Sequence, residues 1–342
     1  MDLPLALDFS DVPIKPLFTT LSSRSEVNLE SNFIFKYSPK TLSCIPIMAA
    51  NMDTIGTMEV MKVLAPSNLF TVLHKFIPYE EYEENKEFLK KYEDNYAISV
   101  GLGIKEIERL EKLDKLLDFK TICIDVANGY MEKLSLFCLQ VREKFPDKII
   151  IAGNVVCRDM TGSLIKDGKV DIVKVGIGPG SSCTTRLKTG VGVPQFTAIT
   201  ECNEMARILG GHVISDGGIT CPGDLGKAFG TGSSFVMIGG QFSGHDENPG
   251  EIISEGDKNY KAFYGMSSSH AMKKNYGKVN DYRTGEGRFV KVPYRGALIE
   301  TVGDFLGGLR STCTYVGARN LADLSLRTRF IRVNNQFNKS LV

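Results

Sequence analysis

The stretch with the strongest chemical signature is a glycine-rich segment that carries a single cysteine. It reads Gly-Ile-Gly-Pro-Gly-Ser-Ser-Cys-Thr-Thr-Arg-Leu-Lys-Thr-Gly-Val-Gly over residues 176–192. The segment is neither a Walker loop, which needs Lys-Ser/Thr at a fixed spacing, nor the Rossmann pattern Gly-x-Gly-x-x-Gly. Glycines leave backbone N–H and C=O groups free to face a ligand or a cation. Cys183 stands here among hydroxyls and cations, a setting that favours a thiol acting as nucleophile.

The elements that must position this segment repeat along the chain. Between apolar runs lie stretches of helical period, such as the charged segment 79–92 and the helix predicted for 104–117. In the latter, one apolar stripe is formed by Ile104, Ile107, Leu110, Leu113 and Leu117. Eight short apolar runs, rich in β-branched residues, begin near Ile45, Leu69, Tyr96, Thr121, Ile149, Ile172, His212 and Ser234. Nearly continuous apolar strands indicate burial on both faces and therefore a parallel sheet.

This repeat predicts an α/β protein built on a (β/α)8 TIM barrel, with a doubly wound open sheet as the alternative. We expect a single domain over residues 1–342. Residues 1–43 precede the first strand and are predicted to close the bottom of the barrel or to pack on its side. A long insertion after the eighth strand, about 240–298, is predicted to be a lid or flap, since loops of this length are usually functional. A mobile segment without function is the alternative.

Polar residues and glycines collect where the predicted strands end, which is the catalytic face of barrel enzymes. Turns also favour these residue types, so the pattern alone is ambiguous. Asp216-Gly217-Gly218 and Gly239-Gly240 follow the seventh and eighth runs, and barrels frequently bind phosphate with backbone N–H groups at these two loops. The Asp216 carboxylate can hold ribose hydroxyls. The residues by themselves therefore predict a barrel enzyme with a cysteine nucleophile that acts on a phosphorylated small molecule.

Composition and charge exclude several classes of protein. The 342 residues are 42% hydrophobic and 24% charged, and the formal net charge is +1, so no overall field attracts nucleic acid or an anionic membrane. The eight cysteines include no Cys-x-x-Cys pair, which disfavours a zinc site or a disulfide framework. No apolar run approaches the ~20 residues of a membrane span, and the first ten residues lack a signal pattern. We expect a cytoplasmic protein without nucleic-acid or membrane partners.

Beyond these patterns, the chain resembles the family of GMP reductase and inosine-monophosphate dehydrogenase over nearly its full length. The similarity extends from the segment at 7–12 to the segment at 328–333. Its specific motifs are Ala50-Asn-Met-Asp-Thr54, Asp125-Val-Ala-Asn-Gly-Tyr130, residues 174–192, Ile214-Ser-Asp-Gly-Gly218, Phe263-Tyr-Gly-Met-Ser-Ser268 and Gly307-Gly-Leu-Arg-Ser-Thr-Cys-Thr-Tyr-Val-Gly317. Runs this long and numerous are far more specific than a lone short motif.

Three features resemble the reductase branch more than the dehydrogenase branch. The residues after Cys183 read Thr-Thr-Arg-Leu-Lys-Thr-Gly, and the flap carries Tyr282-Arg-Thr-Gly-Glu-Gly287. No insertion of paired regulatory modules interrupts the predicted barrel. The resemblance then implies reductive deamination of GMP to IMP and ammonia, through a covalent thioimidate on Cys183. The alternatives are oxidation of IMP to XMP with NAD and a purine-nucleotide sensor without catalysis.

The resemblance also implies roles for individual residues. Cys183 would be the nucleophile, and Thr185 with Glu286 would relay protons. Gly285, with no side chain, leaves the anchoring of Glu286 open. Substrate binding would fall to Asp216, Gly217, Gly218, Gly239, Gly240, Gly265, Met266, Ser267, Arg283 and Gly287.

NADPH and potassium are the cofactors that the resemblance implies. The potassium ion would rest on the carbonyls of Gly178, Gly180, Cys183 and Arg186, and the assembly would be a homotetramer. Ser23 and Arg24 would reach the cofactor from a neighbouring subunit. Within the chain, NADPH would contact Lys75, Asp125, Val126, Ala127, Met266, Tyr282, Arg283, Ser311, Thr312, Cys313 and Thr314. Cations at its adenosine end would favour the 2′-phosphate of NADPH over NADH.

Overall fold

A computed structural model describes residues 3–276 and 285–333. Its strands, in chain order, are β1 (Ser31–Ile34), β2 (Thr41–Cys44), β3 (Ile47–Ala49), β4 (Phe70–Leu73), β5 (Tyr96–Val100), β6 (Thr121–Asp125), β7 (Ile149–Val155), β8 (Ile172–Val175), β9 (His212–Asp216), β10 (Phe235–Ile238), β11 (Ile253–Glu255), β12 (Lys258–Tyr264) and β13 (Phe289–Pro293).

The helices lie between these strands and after them. They are α1 (Met58–Leu64), α2 (Tyr79–Glu84), α3 (Lys86–Lys91), α4 (Ile104–Leu117), α5 (Glu132–Lys144), α6 (Arg158–Lys166), α7 (Thr185–Thr189), α8 (Gln195–Leu209), α9 (Pro222–Gly230), α10 (Ser269–Tyr276), α11 (Leu298–Val316) and α12 (Leu321–Arg327). Short 3₁₀ turns lie at Phe9–Asp11, Arg24–Glu26, Ala65–Ser67, Glu93–Asn95 and Gly240–Phe242.

Within residues 3–276, strands β3 to β10 are parallel and close into a barrel of eight strands. The barrel closes where β10 pairs with β3 and Met237 lies opposite Met48. Every residue of β3, β4, β5, β8 and β10 is buried, because barrel side chains fill the interior on one face and meet the helical shell on the other. The predicted TIM barrel is confirmed, and its strands begin within two residues of the predicted runs.

The predicted helices are confirmed with two differences. In α4, Ile107, Leu110, Leu113 and Leu117 are buried, but Ile104 is 68% exposed. The prediction was wrong for Ile104 because it is the first residue of α4, one turn before the first buried position. The charged segment 79–92 forms two short helices, α2 and α3, that meet at Asn85. No helix in the described ranges is long and apolar enough to cross a membrane.

The N-terminal extension both closes the barrel and packs on its side. Strands β1 and β2 form an antiparallel hairpin, and the ring of Phe33 lies 4.3 Å from that of Phe235 at the start of β10. Earlier residues run along the last helices: Leu17 N–H donates to the Tyr315 carbonyl in α11. Each of the two predicted placements is therefore correct for part of this segment.

The long insertion after β10 has secondary structure of its own. In its described part, β11, β12 and β13 form an antiparallel sheet, and α10 follows β12. The β11–β12 turn contains Gly256 at φ 60°, a left-handed conformation that favours glycine. We call the sheet β11–β13, together with residues 265–276 and 285–288, the flap. Residues 277–284 lie outside the ranges that the structure describes.

Candidate active site

The cysteine segment forms the loop between β8 and α7. The loop is built on glycines, and Gly178 takes a left-handed φ of 85° that other residues rarely adopt. Cys183 is half-buried, and its Sγ lies 3.2 Å from the Oγ1 of Thr185, the first residue of α7. The thiol and the hydroxyl are thus in contact at the catalytic end of the barrel.

A flap carboxylate completes this pair. The Thr185 hydroxyl donates to Oε2 of Glu286 at 2.8 Å, which links residues 101 positions apart in the chain. Backbone bonds fix the carboxylate in place: Glu286 N–H donates to the Ser267 carbonyl, and Thr184 N–H donates to the Glu286 carbonyl. The structure therefore aligns the three predicted catalytic residues as thiol, hydroxyl and carboxylate. It also shows that Glu286 is anchored on both sides of its backbone despite the neighbouring Gly285.

Flap and cysteine loop are joined along a short stretch of backbone. Gly287 bridges Cys183 in antiparallel fashion and Ser268 in parallel fashion. Arg288 N–H donates to the Ser182 carbonyl at 2.9 Å. Because glycine has no side chain, Gly287 can lie with its Cα near that of Gly265, where a β-carbon would come within 3.0 Å. The flap thus completes the wall of the site around the sulfur.

A buried charge network underlies the site. The Lys174 ammonium, almost without exposure, contacts Asp125 at 2.7 Å and Asp216 at 2.9 Å. Burial disfavours its charge, but the two carboxylates overcome this and raise the pKa of Lys174 above its ordinary value. Burial likewise acts to raise the pKa of Asp125, and Lys174 outweighs it and lowers that pKa. Asp216 also accepts from the Asn154 amide at 2.8 Å, so two donors hold this carboxylate at the end of β9.

The predicted phosphate glycines come together with the cysteine loop. Gly217 and Gly218 have φ values of 87° and 81°, which turn their backbone sharply after β9. A β-carbon on Gly217 would lie 3.1 Å from Pro179 Cγ, and one on Gly240 would lie 2.7 Å from Ser181 Oγ. The loops after β8, β9 and β10 therefore bring backbone groups and the Ser181 hydroxyl together in one place.

The predicted base-binding residues lie between β12 and α10. Met266 Sδ accepts from the Asp53 N–H at 3.3 Å, and Ser267 holds Glu286 as described. Gly265 N–H donates to the Arg288 carbonyl. The predicted contacts of Tyr282 and Arg283 lie outside the described residues. The segment 265–267 thus links the loop after β3 to Glu286.

Sequence comparison agrees with this geometry. A family model described as the IMP dehydrogenase / GMP reductase domain matches residues 6–339. The chain belongs to the IMP dehydrogenase / GMP reductase family. Among similar proteins, "GMP reductase 2" of Homo sapiens is 51% identical over 339 residues, which cover 99% of this chain and 97% of that protein. "GMP reductase" of Buchnera aphidicola subsp. Acyrthosiphon pisum (strain Tuc7) is 52% identical over 340 residues, 98% of this chain and 96% of that protein. The resemblance predicted from the motifs is confirmed.

The cofactor residues predicted for this family member fall in two places. Asp125, Val126 and Ala127 lie at the end of β6 beside the charge network, and Lys75 follows β4 near Gly101. Ser23, Arg24 and Thr314 instead line an outer cavity of about 310 Å³ between the N-terminal segment and α11.

The other predicted cofactor residues of α11 differ in how accessible their side chains are to a ligand. Thr312 lines a neighbouring outer cavity of about 360 Å³, together with Pro13 and Lys227. The Ser311 hydroxyl donates to the Gly307 carbonyl within the helix. The side chain of Cys313 is buried without exposure, so it faces the core and not a ligand.

The predicted cation site depends on backbone oxygens. In the described ranges, no group of His, Cys, Asp or Glu residues could hold a metal ion. The Gly180 carbonyl accepts from Cys183 N–H and the Arg186 carbonyl from Gly190 N–H, and each keeps a second lone pair. The Arg186 side chain lies against Gly178 and bonds to Asp8 and to the Val193 carbonyl. A cation bound here would therefore be held by carbonyl oxygens, the donor type that potassium prefers.

The sequence did not predict that Lys174 and Ser181 belong to this site. It also did not predict the contact between Asp8 and Arg186. One signal was present, since Lys174 is a charge inside the otherwise apolar run Ile-Val-Lys-Val. A charge at such a position is rarely buried without a partner. Nothing in the sequence marked Asp8, because its contact with Arg186 joins residues 178 positions apart.

Proposed function

We propose that this protein is a GMP reductase, which converts GMP to IMP and releases ammonia with NADPH as the reductant. The observation that supports this most directly is the Cys183–Thr185–Glu286 alignment. The Cys183 thiol supplies a nucleophile, and Thr185 with Glu286 supplies a path for protons to and from the atoms that it attacks. The names of the similar proteins point to GMP reduction as well.

GMP would bind with its phosphate on the backbone N–H groups of Gly217, Gly218, Gly239 and Gly240, beside Ser181. The ribose hydroxyls would bind Asp216, whose carboxylate accepts hydrogen bonds from Lys174 and Asn154. The base would lie against the segment 265–267 and over the Cys183 sulfur, near Gly287. We propose that Arg283 adds to the nucleotide contacts.

The chemical step starts at C2 of guanine. The Cys183 sulfur forms a bond to C2, and the bond from C2 to the exocyclic nitrogen breaks, which leaves a thioimidate on the enzyme. An amine leaves readily only when it is protonated. Glu286 and the Thr185 hydroxyl, 2.8 Å apart, form the relay that carries a proton towards the departing nitrogen and takes the thiol proton. Ammonia is then released.

NADPH, when bound, would supply the hydride that replaces sulfur at C2. Cys183 would leave as a thiolate and take up a proton, and IMP would be released. We propose that Asp125, Val126, Ala127 and Met266 hold its nicotinamide end, together with Tyr282. Lys75, Arg283 and the 311–314 segment would meet the adenosine phosphates. Ser23 and Arg24 of a neighbouring subunit would reach the same cofactor; within one chain these two residues line the same outer cavity as Thr314.

We also propose a potassium ion on the carbonyls of Gly178, Gly180, Cys183 and Arg186, and a homotetrameric assembly. The ion would hold the cysteine loop in the turn that presents the sulfur. The donor set is consistent with this cation, since it consists of neutral backbone oxygens.

The test is to incubate the protein with GMP and NADPH and to follow the nicotinamide absorbance. We expect oxidation of NADPH with equal amounts of IMP and ammonia. Cys183→Ala is expected to bind GMP but to show neither turnover nor a covalent adduct by mass spectrometry. Formation of XMP from IMP and NAD, without GMP reduction, would show the dehydrogenase reaction instead. Turnover by Cys183→Ala would disprove the nucleophile.

A further inference from the structure

A buried carboxylate outside the catalytic relay joins the flap to the barrel. Asp53 lies in the loop after β3 and is 4% exposed. Its Oδ2 accepts from the Tyr264 hydroxyl at 3.1 Å, from the Lys274 ammonium at 2.9 Å and from the Asn275 amide at 3.3 Å. The donors come from two flap elements, since Tyr264 ends β12 whereas Lys274 and Asn275 lie in α10.

The contacts of Asp53 flank the segment that would bind the base. Residues 265–268 connect Tyr264 to α10, so both ends of this connection are tied to the same carboxylate. The Asp53 N–H also donates to Met266 Sδ in its middle. Lys274 further donates to the Tyr264 hydroxyl at 2.9 Å, which joins the two ends to each other. The Asp53 side chain, in the loop after β3, thus holds the segment from both sides, in addition to the backbone contacts that Gly265, Ser267 and Ser268 make with residues 286–288.

We propose that Asp53 is a positioning residue that, with Lys274, holds the flap so that Glu286 meets Thr185. This inference rests on the proposed function and deepens it. The connection is short: Asp53 holds the segment 265–268, the Ser267 carbonyl accepts from Glu286 N–H at 3.1 Å, and Glu286 accepts from the Thr185 hydroxyl. A shift of the segment 265–268 would therefore move the Glu286 carboxylate away from the Thr185 hydroxyl.

The Asp53–Lys274 ion pair, called the Asp53 latch below, joins a buried carboxylate to a partly exposed ammonium. The side chain of Asp53 is 2% exposed and that of Lys274 is 48% exposed. Loss of Lys274 leaves a buried carboxylate with weaker partners, whereas loss of the Asp53 charge leaves an ammonium that water can solvate. Lys274→Met should therefore disturb the flap more than Asp53→Asn, and the double variant Asp53→Asn/Lys274→Met should lie closer to Asp53→Asn than to Lys274→Met.

The experiment compares the three variants with the unaltered protein and with Lys291→Met. Lys291 of β13 is exposed, pairs with Glu255 within the flap sheet and is the matched control. The first measurement is hydrogen exchange without ligands, read in residues 264–276 and 285–288. We expect exchange there to rise about tenfold or more in Asp53→Asn and Lys274→Met, with the barrel strands unchanged. Lys291→Met should leave both regions as they are.

The second measurement separates positioning from general damage. With GMP and NADPH, kcat should fall about tenfold or more in both single variants. Hydride transfer between IMP and the cofactor also uses the segment 265–267 but needs no proton from Glu286, so it should fall by a clearly smaller factor than the full reaction. Unchanged flap exchange in folded variants, or an equal loss in both reactions, would overturn the proposal. If the unaltered protein fails to reduce GMP, the proposed function fails, and the exchange comparison still judges the latch.

Discussion

The sulfur of Cys183 is 3.2 Å from a hydroxyl that is itself bonded to a carboxylate. In the proposed reaction that order matters, because a thiol alone can attack guanine but cannot protonate the departing nitrogen. The Thr185 hydroxyl both donates and accepts, so it can pass a proton between Glu286 and the reacting groups without moving its heavy atoms. In the proposed reaction, these contacts place a proton path beside the nucleophile.

Glu286→Gln tests this path. The amide keeps the shape and a hydrogen bond to Thr185 but cannot take up or release the proton, so deamination of GMP should slow by about 10²-fold or more. Hydride transfer between IMP and the cofactor should slow far less. Rapid-mixing kinetics of the two half-reactions measure this, and equal slowing would mean that Glu286 acts on flap closure instead.

His74 provides a prediction for the pH dependence of stability. Burial lowers the pKa of His74 to about 4 from an ordinary 6.5, against the opposing effect of the Asp53 carboxylate. Its Nδ1 accepts from Phe76 N–H at 3.2 Å, a bond that protonation removes. A depressed pKa means that the stabilisation is complete above pH 6.5 and is lost as pH falls towards 4, by about 3 kcal/mol.

The matched variant is His74→Asn, whose amide oxygen can accept the same bond but does not titrate. Urea unfolding at pH 7 and at pH 4 should show that the unaltered protein loses about 3 kcal/mol more than the variant. Parallel losses in the two proteins would show that His74 is not a source of acid sensitivity.

At the scale of elements, the site is made by loops that turn more tightly than side chains permit. The strands deliver Gly217 and Gly240 to the rim, and there a β-carbon would meet Pro179 or Ser181 of the neighbouring loop. Bare backbone brings N–H groups close to a phosphate with no side chain between. The helices contribute mainly by covering the outer face of the strands, as the buried stripe of α4 shows.

Gly217→Ala should therefore impair binding as well as stability. Its φ of 87° disfavours a side chain, and a β-carbon would lie 3.1 Å from Pro179 Cγ. We expect a loss of about 1–2 kcal/mol in the free energy of unfolding and at least tenfold weaker GMP binding by calorimetry.

Gly190→Ala is the control for backbone strain alone. Gly190 also has a left-handed φ, of 73°, but a β-carbon there would meet nothing within 4 Å. This variant should lose about 1 kcal/mol and bind GMP within twofold of the unaltered protein. Equal affinities in the two variants would contradict the phosphate role of Gly217.

At the scale of the whole molecule, closure joins distant parts of the chain at one rim. The N-terminal segment reaches the active-site loops: Phe9 is 3% exposed and lies against Gly218, and the Lys227 ammonium donates to the Phe9 carbonyl. Asp8 contacts Arg186 from the same segment. The start of the chain therefore packs against the loop that carries Gly218, where we propose that the phosphate binds. This agrees with one domain over 1–342, which stays a prediction.

Phe9→Ala should show this coupling. A buried ring lost from the core typically costs about 3–5 kcal/mol, and the same cavity would lie beneath Gly218 and weaken GMP binding. Phe18→Ala is the control, because Phe18 is 86% exposed and its loss should change stability by less than about 0.5 kcal/mol. Urea unfolding and GMP titration measure both effects. A Phe9→Ala protein with unchanged GMP affinity would show that the segment does not support the site.

The amino-acid sequence by itself determined the barrel, its strand positions and the loop that carries Cys183. Strands buried on both faces must be mostly apolar, and tight turns at the rim need glycine. Short stretches of sequence are therefore enough to predict the strands and the glycine-rich loops. The family motifs added the roles of Thr185 and Glu286, since nothing near Glu286 in the chain points to Thr185.

Only the tertiary structure decided which distant groups meet. Lys174 lies between Asp125 and Asp216, and Asp53 lies against Lys274, because barrel closure and the flap bring separate loops to one rim. Periodicity along the chain reports which face of an element is buried, not which charge lies opposite. Such contacts depend on the packing of several elements at once, and for this reason the charge network and the Asp53 latch were invisible until the elements were assembled.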